Sequence, residues 1–257
     1  MNILINGICG YMGREVERLC EAGYRGARLC IGVDPGVASG RANVYRTFDD
    51  IPSASDIDCI VDFSHHTATR ELLAFAAENK IPTVVATTGH TEEEKAEIIR
   101  AGEDIPVFYS ANMSLGVALL VELAKSAAAA MPEADIEIIE KHHNRKIDAP
   151  SGTALMIANE LTTVREDAYA KCGRSGQGKR EASEIGIHAV RLGGVVGEHE
   201  VILATVNQTI TLKHEAHSRA LFAEGALAAA SFLIGCECGV YDMHSLVKNE
   251  GKKSEVL

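Results

Sequence analysis

An apolar run, Ile3-Leu4-Ile5, is followed at once by Gly7-Ile8-Cys9-Gly10-Tyr11-Met12-Gly13. Glycines at this spacing let the backbone turn sharply from a strand into a helix and approach a pyrophosphate closely. The helix start adds unpaired N–H groups and a partial positive charge at the same place. The periodicity predicts that helix from about Arg14, with Val16, Leu19 and Cys20 on one face. A glycine triplet alone is weak evidence, because glycines also make plain turns. Here a strand precedes it and a helix follows. An acid, Asp34, ends the next strand about twenty residues on, where it can accept from ribose hydroxyls. Gly7 to Gly13 and Asp34 are therefore candidate dinucleotide-binding residues.

The rhythm repeats through the first half of the chain. Strands are predicted at Arg28–Val33, Cys59–Phe63, Pro82–Thr87 and Val107–Tyr109. Helical patterns lie between them, one carrying Leu72, Leu73 and Ala76 and one opened by a capping box of Thr91 and Glu94. Alternating β and α elements imply a parallel sheet with helices on both faces. After Asn112 the pattern changes. A long helix is predicted over Ser114–Ala130, with Leu115, Leu119 and Leu123 recurring every four residues. A strand over Ile136–Glu140 and a helix from Ser151 to about Val164 follow. The glycine-rich, basic run Gly173–Arg180 reads as a mobile loop. Strands near Ile185–Leu192, Val201–Val206 and Thr209–Lys213, with no helices between them, predict a mostly antiparallel open sheet. An apolar helix over Ala220–Ile234 and a short tail close the chain.

Composition narrows the function classes. A length of 257 residues allows one large or two small domains, and 46% hydrophobic residues suit a globular protein. A formal net charge of −11 argues against nucleic acid as the main partner. No apolar run approaches the ~20 residues of a membrane span, and the N-terminus lacks the features of a signal peptide. Seven cysteines without paired spacing suit a reducing cytoplasm. Cys236 and Cys238 read as a helix-end pair rather than zinc ligands. The ten histidines include two adjacent pairs, His65-His66 and His142-His143, but there is no H-E-x-x-H and no Cys-His cluster, so no metal site is expected. His65 and His66 follow a strand end, where they are either near a cofactor or part of a solvated loop.

The densest chemistry lies in Glu140-Lys141-His142-His143-Asn144-Arg145-Lys146-Ile147-Asp148-Ala149-Pro150-Ser151-Gly152-Thr153. Histidine titrates near neutrality and can hand over a proton in a turnover. Lysine is a point cation suited to a carboxylate. A helix start at Ser151 or Thr153 directs N–H groups at an anion. Together these residues describe a proton donor beside a site for a small acidic substrate.

Glu140 to Ala154 also matches every fixed position of E-x-H-H-x-x-K-x-D-x-P-S-G-T-A, and so resembles the 4-hydroxy-tetrahydrodipicolinate reductase (dihydrodipicolinate reductase) family. The resemblance covers nearly the whole chain. Asp62-Phe63-Ser64 resembles the family's D-F-[ST], and Ala86-Thr87-Thr88-Gly89-His90 its G-T-T-G-F. Ser110-Ala111-Asn112-Met113-Ser114-Leu115-Gly116-Val117 is similar to [AS]-x-N-[FM]-S-x-G-V, and Arg191 to His199 to R-x-G-x-x-x-G-x-H. Ser218-Arg219 and Tyr241-Asp242-Met243 also fit. Ala86, His90, Ala118 and His244 depart from the family pattern, which bears on cofactor choice and rate.

The resemblance implies a Rossmann-like dinucleotide-binding domain over 1–113 and 220–257. It also implies an α+β domain over 114–219 for substrate binding and oligomerisation, assembling a homotetramer. It adds Phe63, Ala86, Thr87, Thr88, Ser110, Ala111, Asn112 and Met113 to the cofactor site. The expected reaction reduces 4-hydroxy-tetrahydrodipicolinate, or the dihydrodipicolinate formed from it by loss of water, with NADH or NADPH. His142, alone or with Lys146, delivers the proton; His143, Lys146, Ser151, Gly152 and Thr153 hold the dicarboxylate. Pro35 and Gly36, rather than a cation, follow Asp34, which gives a slight preference for NADH; Arg14 or Arg41 could still serve a 2′-phosphate. Two other readings stand beside this one. Another Rossmann-type reductase of a carboxylated substrate is one, although neither Cys9 in the glycine turn nor Cys59 in a strand suits a nucleophile. A non-catalytic dinucleotide sensor is the other, and it would not need the His-His-Lys constellation.

Overall fold

The computed structural model describes residues 1–38 and 40–254. β1 (Asn2–Asn6) leads through the glycine turn into α1 (Tyr11–Glu21), β2 (Arg28–Val33), β3 (Val44–Tyr45), β4 (Cys59–Asp62), α2 (Thr69–Asn79), β5 (Thr83–Val85), α3 (Glu92–Ala101) and β6 (Pro106–Tyr109). Then come α4 (Leu115–Ala130), β7 (Asp135–His142), α5 (Gly152–Thr162), β8 (Tyr169–Cys172), β9 (Glu184–Arg191), β10 (Gly197–Ala204) and β11 (Thr209–Ala216). The chain continues through α6 (Ala220–Leu233), β12 (Gly239–Tyr241) and α7 (Met243–Ser254). It forms two compact units, one of Met1–Leu115 with the chain from Ala220 onward, the other of Gly116–Arg219.

The first unit is built on a seven-stranded sheet in the order β12-β6-β5-β4-β1-β2-β3. All of its pairings are parallel. Parallel strands need crossovers, and the helices supply them. Leu4, Ile60, Val85 and Val107 pack with Leu72, Leu73 and Ala76 of α2 and Ile98 of α3 on one face. α1 and α6 contact strands of the same sheet. The predicted capping box holds α3: Thr91 Oγ1 accepts from Glu94 N at 3.3 Å, and Thr91 N donates to the Glu94 carboxylate at 2.8 Å. The chain moves outward from β1 to β2 and β3 in one direction and from β4 to β6 in the other. The reversal lies between β1 and β4, where a crevice opens at the C-terminal strand ends.

The second unit has a five-stranded sheet in the order β11-β10-β7-β9-β8. This sheet is mixed, which corrects the expectation of a mostly antiparallel one. β10 runs antiparallel to β7 and β11, but β9 runs parallel to both β7 and β8. Two returns cause this: α5 carries the chain back between β7 and β8, and the 173–183 segment carries it back again between β8 and β9, so all three start from the same end. β8, Tyr-Ala-Lys-Cys, lacks an alternating apolar face and was not foreseen. α4 and α5 pack on the sheet through Leu120, Val121, Ala124, Ala128, Ala154, Ile157, Ala158 and Leu161. The inward face of α4 is therefore not the one carrying Leu119 and Leu123, which are each 48% exposed. The run Gly173–Arg180 forms no helix or strand, but two of its three cations are engaged: Arg174 pairs with the buried Glu184, and Arg180 with Asp135 at 2.7 Å and Glu137 at 3.0 Å. Among the described residues, no helix is long and apolar enough to cross a membrane.

The alanine-rich α6 approaches its own unit closely at one point. A Cβ on Gly225 would lie 1.7 Å from the Met113 carbonyl oxygen, which is backbone and cannot swing aside. Gly225→Ala is expected to destabilise the protein by about 1–3 kcal/mol, the usual cost of overpacking. Thermal unfolding followed by circular dichroism checks this; an unchanged midpoint would mean that the close approach constrains nothing.

Candidate active site

The cofactor residues read from the sequence all follow C-terminal ends of strands in the first sheet. Gly7–Gly13 follow β1, Asp34 follows β2, Phe63 follows β4, Ala86–Thr88 follow β5 and Ser110–Met113 follow β6. Because these strands are parallel, the residues share one edge of the sheet. Gly7 has φ +81°, and a Cβ there would fall 2.5 Å from the Phe63 carbonyl oxygen. A Cβ on Gly13 would fall 2.1 Å from the Gly7 carbonyl oxygen. The turn is thus compatible only with glycine at these two positions. α1 starts at Tyr11, earlier than the apolar periodicity suggested. Its N-cap, Gly10, makes no side-chain cap, and its first turn carries no acid. That is the chemistry expected of a phosphate-binding helix start.

Asp34 holds this turn in place. Its carboxylate accepts from Cys9 N at 2.9 Å and Gly36 N at 2.8 Å. Arg41, considered for a 2′-phosphate, pairs with Glu17. Arg14 is exposed in the first turn of α1. A cation that the sequence reading missed is the exposed Arg46. Val33 pairs with Tyr45, and Asp34 N donates to Tyr45 O at 2.9 Å, so Asp34 and Arg46 are the next residues on adjoining strand ends. Only the β2–β3 register reveals this, because the two lie far apart in sequence.

Ile8 and Met113 are buried core side chains, so only their backbone is suited to a ligand. Asp62 is buried beneath Ser64 and Thr87. It accepts from Asn6 Nδ2 at 2.8 Å and Ser64 Oγ at 2.6 Å, and Ser64 N donates to Thr87 Oγ1 at 2.9 Å. Burial pushes the Asp62 carboxyl upward against these hydrogen bonds. His90, at the family's phenylalanine position, is buried with Nε2 2.9 Å from Thr69 Oγ1 and its ring edge-on to Tyr109. Burial lowers its pKa, so it packs as a neutral aromatic ring. His66 contacts the Glu94 carboxylate at 2.9 Å.

In the second unit, strand alternation builds the site. Ile136, Ile138, Glu140 and His142 are the buried positions of β7, and Gly197, His199, Val201 and Leu203 those of β10. Each strand is apolar at one end of this face and polar at the other. Register sets His199 opposite Glu140 and Arg191 of β9 opposite His142. Glu140 has no exposed surface. Its oxygens receive Arg191 Nη1 at 2.8 Å, Arg191 Nη2 at 2.7 Å and Ser151 N at 2.9 Å, and His142 Nδ1 lies 2.6 Å away. Burial acts to raise the Glu140 pKa, but Arg191 and His142 hold it below the usual carboxylate range. Ser151 caps α5, its hydroxyl accepting from Ala154 N at 3.2 Å and lying 3.1 Å from His199 Nε2. The Ser151 amide, expected to grip substrate, is thus directed to Glu140 instead.

Gly152 and Thr153 open α5, and Lys146 sits on the preceding loop with Nζ 2.8 Å from Asp148. The His143 pKa is lowered by partial burial and by the neighbouring Arg145 and Arg219 charges. Arg145, Arg219 and Lys146 therefore gather around His143, on the loop that leads to α5. Glu140, Arg191, Gly197 and His199 were absent from the sequence-level site, although the R-x-G-x-x-x-G-x-H match contained three of them. Among the described residues, no group of three or more His, Cys, Asp or Glu is arranged to hold a metal ion.

His199 is lowered to about 4 from 6.5, first by burial and then by the His142 charge. It is neutral in the folded protein and titrates near its ordinary value when unfolded. The unfolded state therefore binds more protons between these values, and stability falls as pH drops from about 6.5 towards 4. The His199 share is expected to reach about 3 kcal/mol. Denaturant titrations from pH 7 to 4.5 should show a flatter loss for His199→Gln. Parallel curves for the two proteins would exclude the contribution.

Comparison with known proteins agrees over both units. The family model described as dihydrodipicolinate reductase, N-terminus, matches residues 1–113, and that described as dihydrodipicolinate reductase, C-terminus, matches 116–247. The 4-hydroxy-tetrahydrodipicolinate reductase of Caldanaerobacter subterraneus subsp. tengcongensis is 45% identical over 252 residues, 96% of this chain and 98% of its own. That of Clostridium novyi is 40% identical over 251 residues, 96% of this chain and 98% of its own. A solved structure, dipicolinate-bound dihydrodipicolinate reductase from Paenisporosarcina sp. TG-14, shares the fold with a TM-score of 0.79 at 23% identity, covering 94% of this chain and 97% of that one. With both halves matched and near-full-length relatives at this identity, the chain belongs to the dihydrodipicolinate reductase family of NAD(P)H-dependent oxidoreductases in lysine and diaminopimelate biosynthesis.

Proposed function

We propose that the first unit binds the dinucleotide, that the second binds the dicarboxylate and builds the oligomer, and that His142 is the proton donor. The reaction is reduction of 4-hydroxy-tetrahydrodipicolinate, or its dehydrated form, to tetrahydrodipicolinate. The observation that carries the reading is the His142–Glu140 contact at 2.6 Å, next to His143 and the cations around it. The dinucleotide, when bound, supplies the hydride. Gly7, Gly10 and Gly13 give its pyrophosphate a close backbone approach, and Asp34 the ribose. Phe63, Ala86–Thr88 and Ser110–Met113 line the nicotinamide end. His142 holds the proton that joins the substrate, with Lys146 able to assist. Lys146, His143 and the Gly152 and Thr153 amides hold the carboxylates. The dipicolinate bound by the Paenisporosarcina enzyme supports a dicarboxylate of this shape. Exposed Leu119 and Leu123 support burial in a homotetramer, and the unpaired cysteines support a cytoplasmic location.

Asp34 favours NADH, and Arg46 keeps NADPH usable. Arg46→Ala is expected to raise the KM for NADPH about ten-fold, as for one lost charge-assisted contact, while sparing NADH. Asp34→Asn should do the reverse, weakening NADH and leaving NADPH equal or better. Steady-state kinetics with both cofactors decide it. A wild-type protein that binds NADPH far more tightly would overturn the preference.

His142→Gln is expected to lower kcat by roughly 10²–10⁴-fold, the range for a lost general acid, with NADH binding unchanged. Lys146→Ala should raise the substrate KM by roughly ten- to a hundred-fold and weaken inhibition by pyridine-2,6-dicarboxylate. The assay is NADH oxidation dependent on freshly generated synthase product. Near-normal kcat in the His142 variant removes the donor assignment, and equal inhibition of wild type and Lys146→Ala places the carboxylates elsewhere. No turnover by the wild type would leave a dinucleotide sensor.

A further inference from the structure

We propose that Glu140 is a positioning residue for proton transfer: clamped by Arg191 and the Ser151 amide, it fixes His142 as the Nδ1–H tautomer. The proposal rests on the reading of His142 as donor. A carboxylate with no exposed surface is costly unless every lone pair is met. Glu140 meets that condition with four neighbours at 2.6–2.9 Å. Three of them, two from Arg191 and one from the Ser151 backbone, can only donate. They keep the carboxylate ionised, so it can only accept from the fourth. The hydrogen on Nδ1 of His142 follows from its partner rather than from assumption.

Two effects follow at the other nitrogen. Neutral His142 presents a lone pair at Nε2, and the protonated ring presents its transferable proton there. A Cβ on Gly197 would lie 3.0 Å from Nε2, so the residue facing that atom has no side chain to fill the space. The charged and titratable groups around the ring are Glu140 on its own strand, Arg191 from β9, His199 from β10, and His143 and Lys146 from the loop. His199 is neutral at working pH, Arg191 is paired with Glu140 at 2.7 Å and Lys146 with Asp148 at 2.8 Å. Glu140 is therefore the anion in contact with the ring. The same carboxylate binds the Ser151 amide, so one group orients both the donor and the start of α5, where the substrate carboxylates are proposed to sit.

Glu140→Gln tests the idea with little change of shape. Its amide offers an N–H where His142 now donates, so the imidazole must reverse its tautomer or lose the bond. kcat is expected to fall roughly ten- to a hundred-fold, within the range of impaired acid catalysis. The alkaline limb of the kcat–pH profile should shift, because the ring that transfers the proton would no longer be held in one tautomer. The KM for NADH should not change. Nitrogen-15 NMR of the wild-type holoenzyme, which needs no variant to fold, should show neutral His142 protonated at Nδ1. Neutral His142 protonated at Nε2 would overturn the proposal. So would a Glu140→Gln enzyme whose pH limb stays in place, even with lower kcat, since that outcome describes a merely structural residue. If His142→Gln keeps its kcat, the donor reading fails; if it loses kcat while Glu140→Gln keeps both kcat and limb, only the present inference fails.

Discussion

A buried carboxylate demands donors, and meeting that demand at Glu140 organises the second unit. Arg191 comes from β9, the Ser151 amide from the start of α5, and His142 from the same strand two residues on. Arg191 Nη2 also reaches the Asp148 carbonyl at 2.6 Å, which ties down the loop between β7 and α5. The strand, the crossover loop and the helix start are thereby cross-linked at one point. The neighbouring face of the sheet is aliphatic and offers no polar group in exchange if one partner is removed. The chemistry sits where the apolar stripe of Ile136 and Ile138 ends, and the site is an extension of the core in geometry though not in polarity.

The first unit depends on a different constraint, the closeness of backbones at the β1–β4 switch. Gly7 lies against Phe63, and Gly13 against Gly7, with room for no Cβ at either. Asp34 then binds the turn to β2 through Cys9 N. The strand ends beside this turn carry buried polar groups, Asn6, Asp62 and Thr87, whose mutual hydrogen bonds stiffen the edge without closing it. Such an edge is suited to a long ligand laid across several strand ends.

Much of this was legible in the residues alone. The glycine turn, the parallel β/α alternation, the Thr91–Glu94 box and the Ser151 cap each follow from local chemistry, and the signature around His142 marks the proposed acid. What was not legible is what depends on register. Arg46 becomes a neighbour of Asp34 only once β3 is paired with β2. Arg191 and His199 become partners of the Glu140–His142 pair only once β9 and β10 flank β7. The mixed sheet was missed because nothing in the spacing of β8, β9 and β10 says on which side of β7 each will lie. α4 was misoriented because its leucines recur more regularly than its buried alanines, and a helix with apolar residues on several faces does not announce which face is covered.

The pairing of Lys146 with Asp148 changes what it means for a carboxylate to arrive here. The lysine is not a bare charge awaiting a ligand, because an internal carboxylate already sits 2.8 Å from its nitrogen. An anion of the kind proposed for Lys146 would enter by exchange, its electrostatic gain being the difference between two similar ion pairs. A single carboxylate gains little from such a trade. The Gly152 amide also holds Asp148, so a dicarboxylate proposed to bind here would replace one internal carboxylate at both the lysine and the helix start.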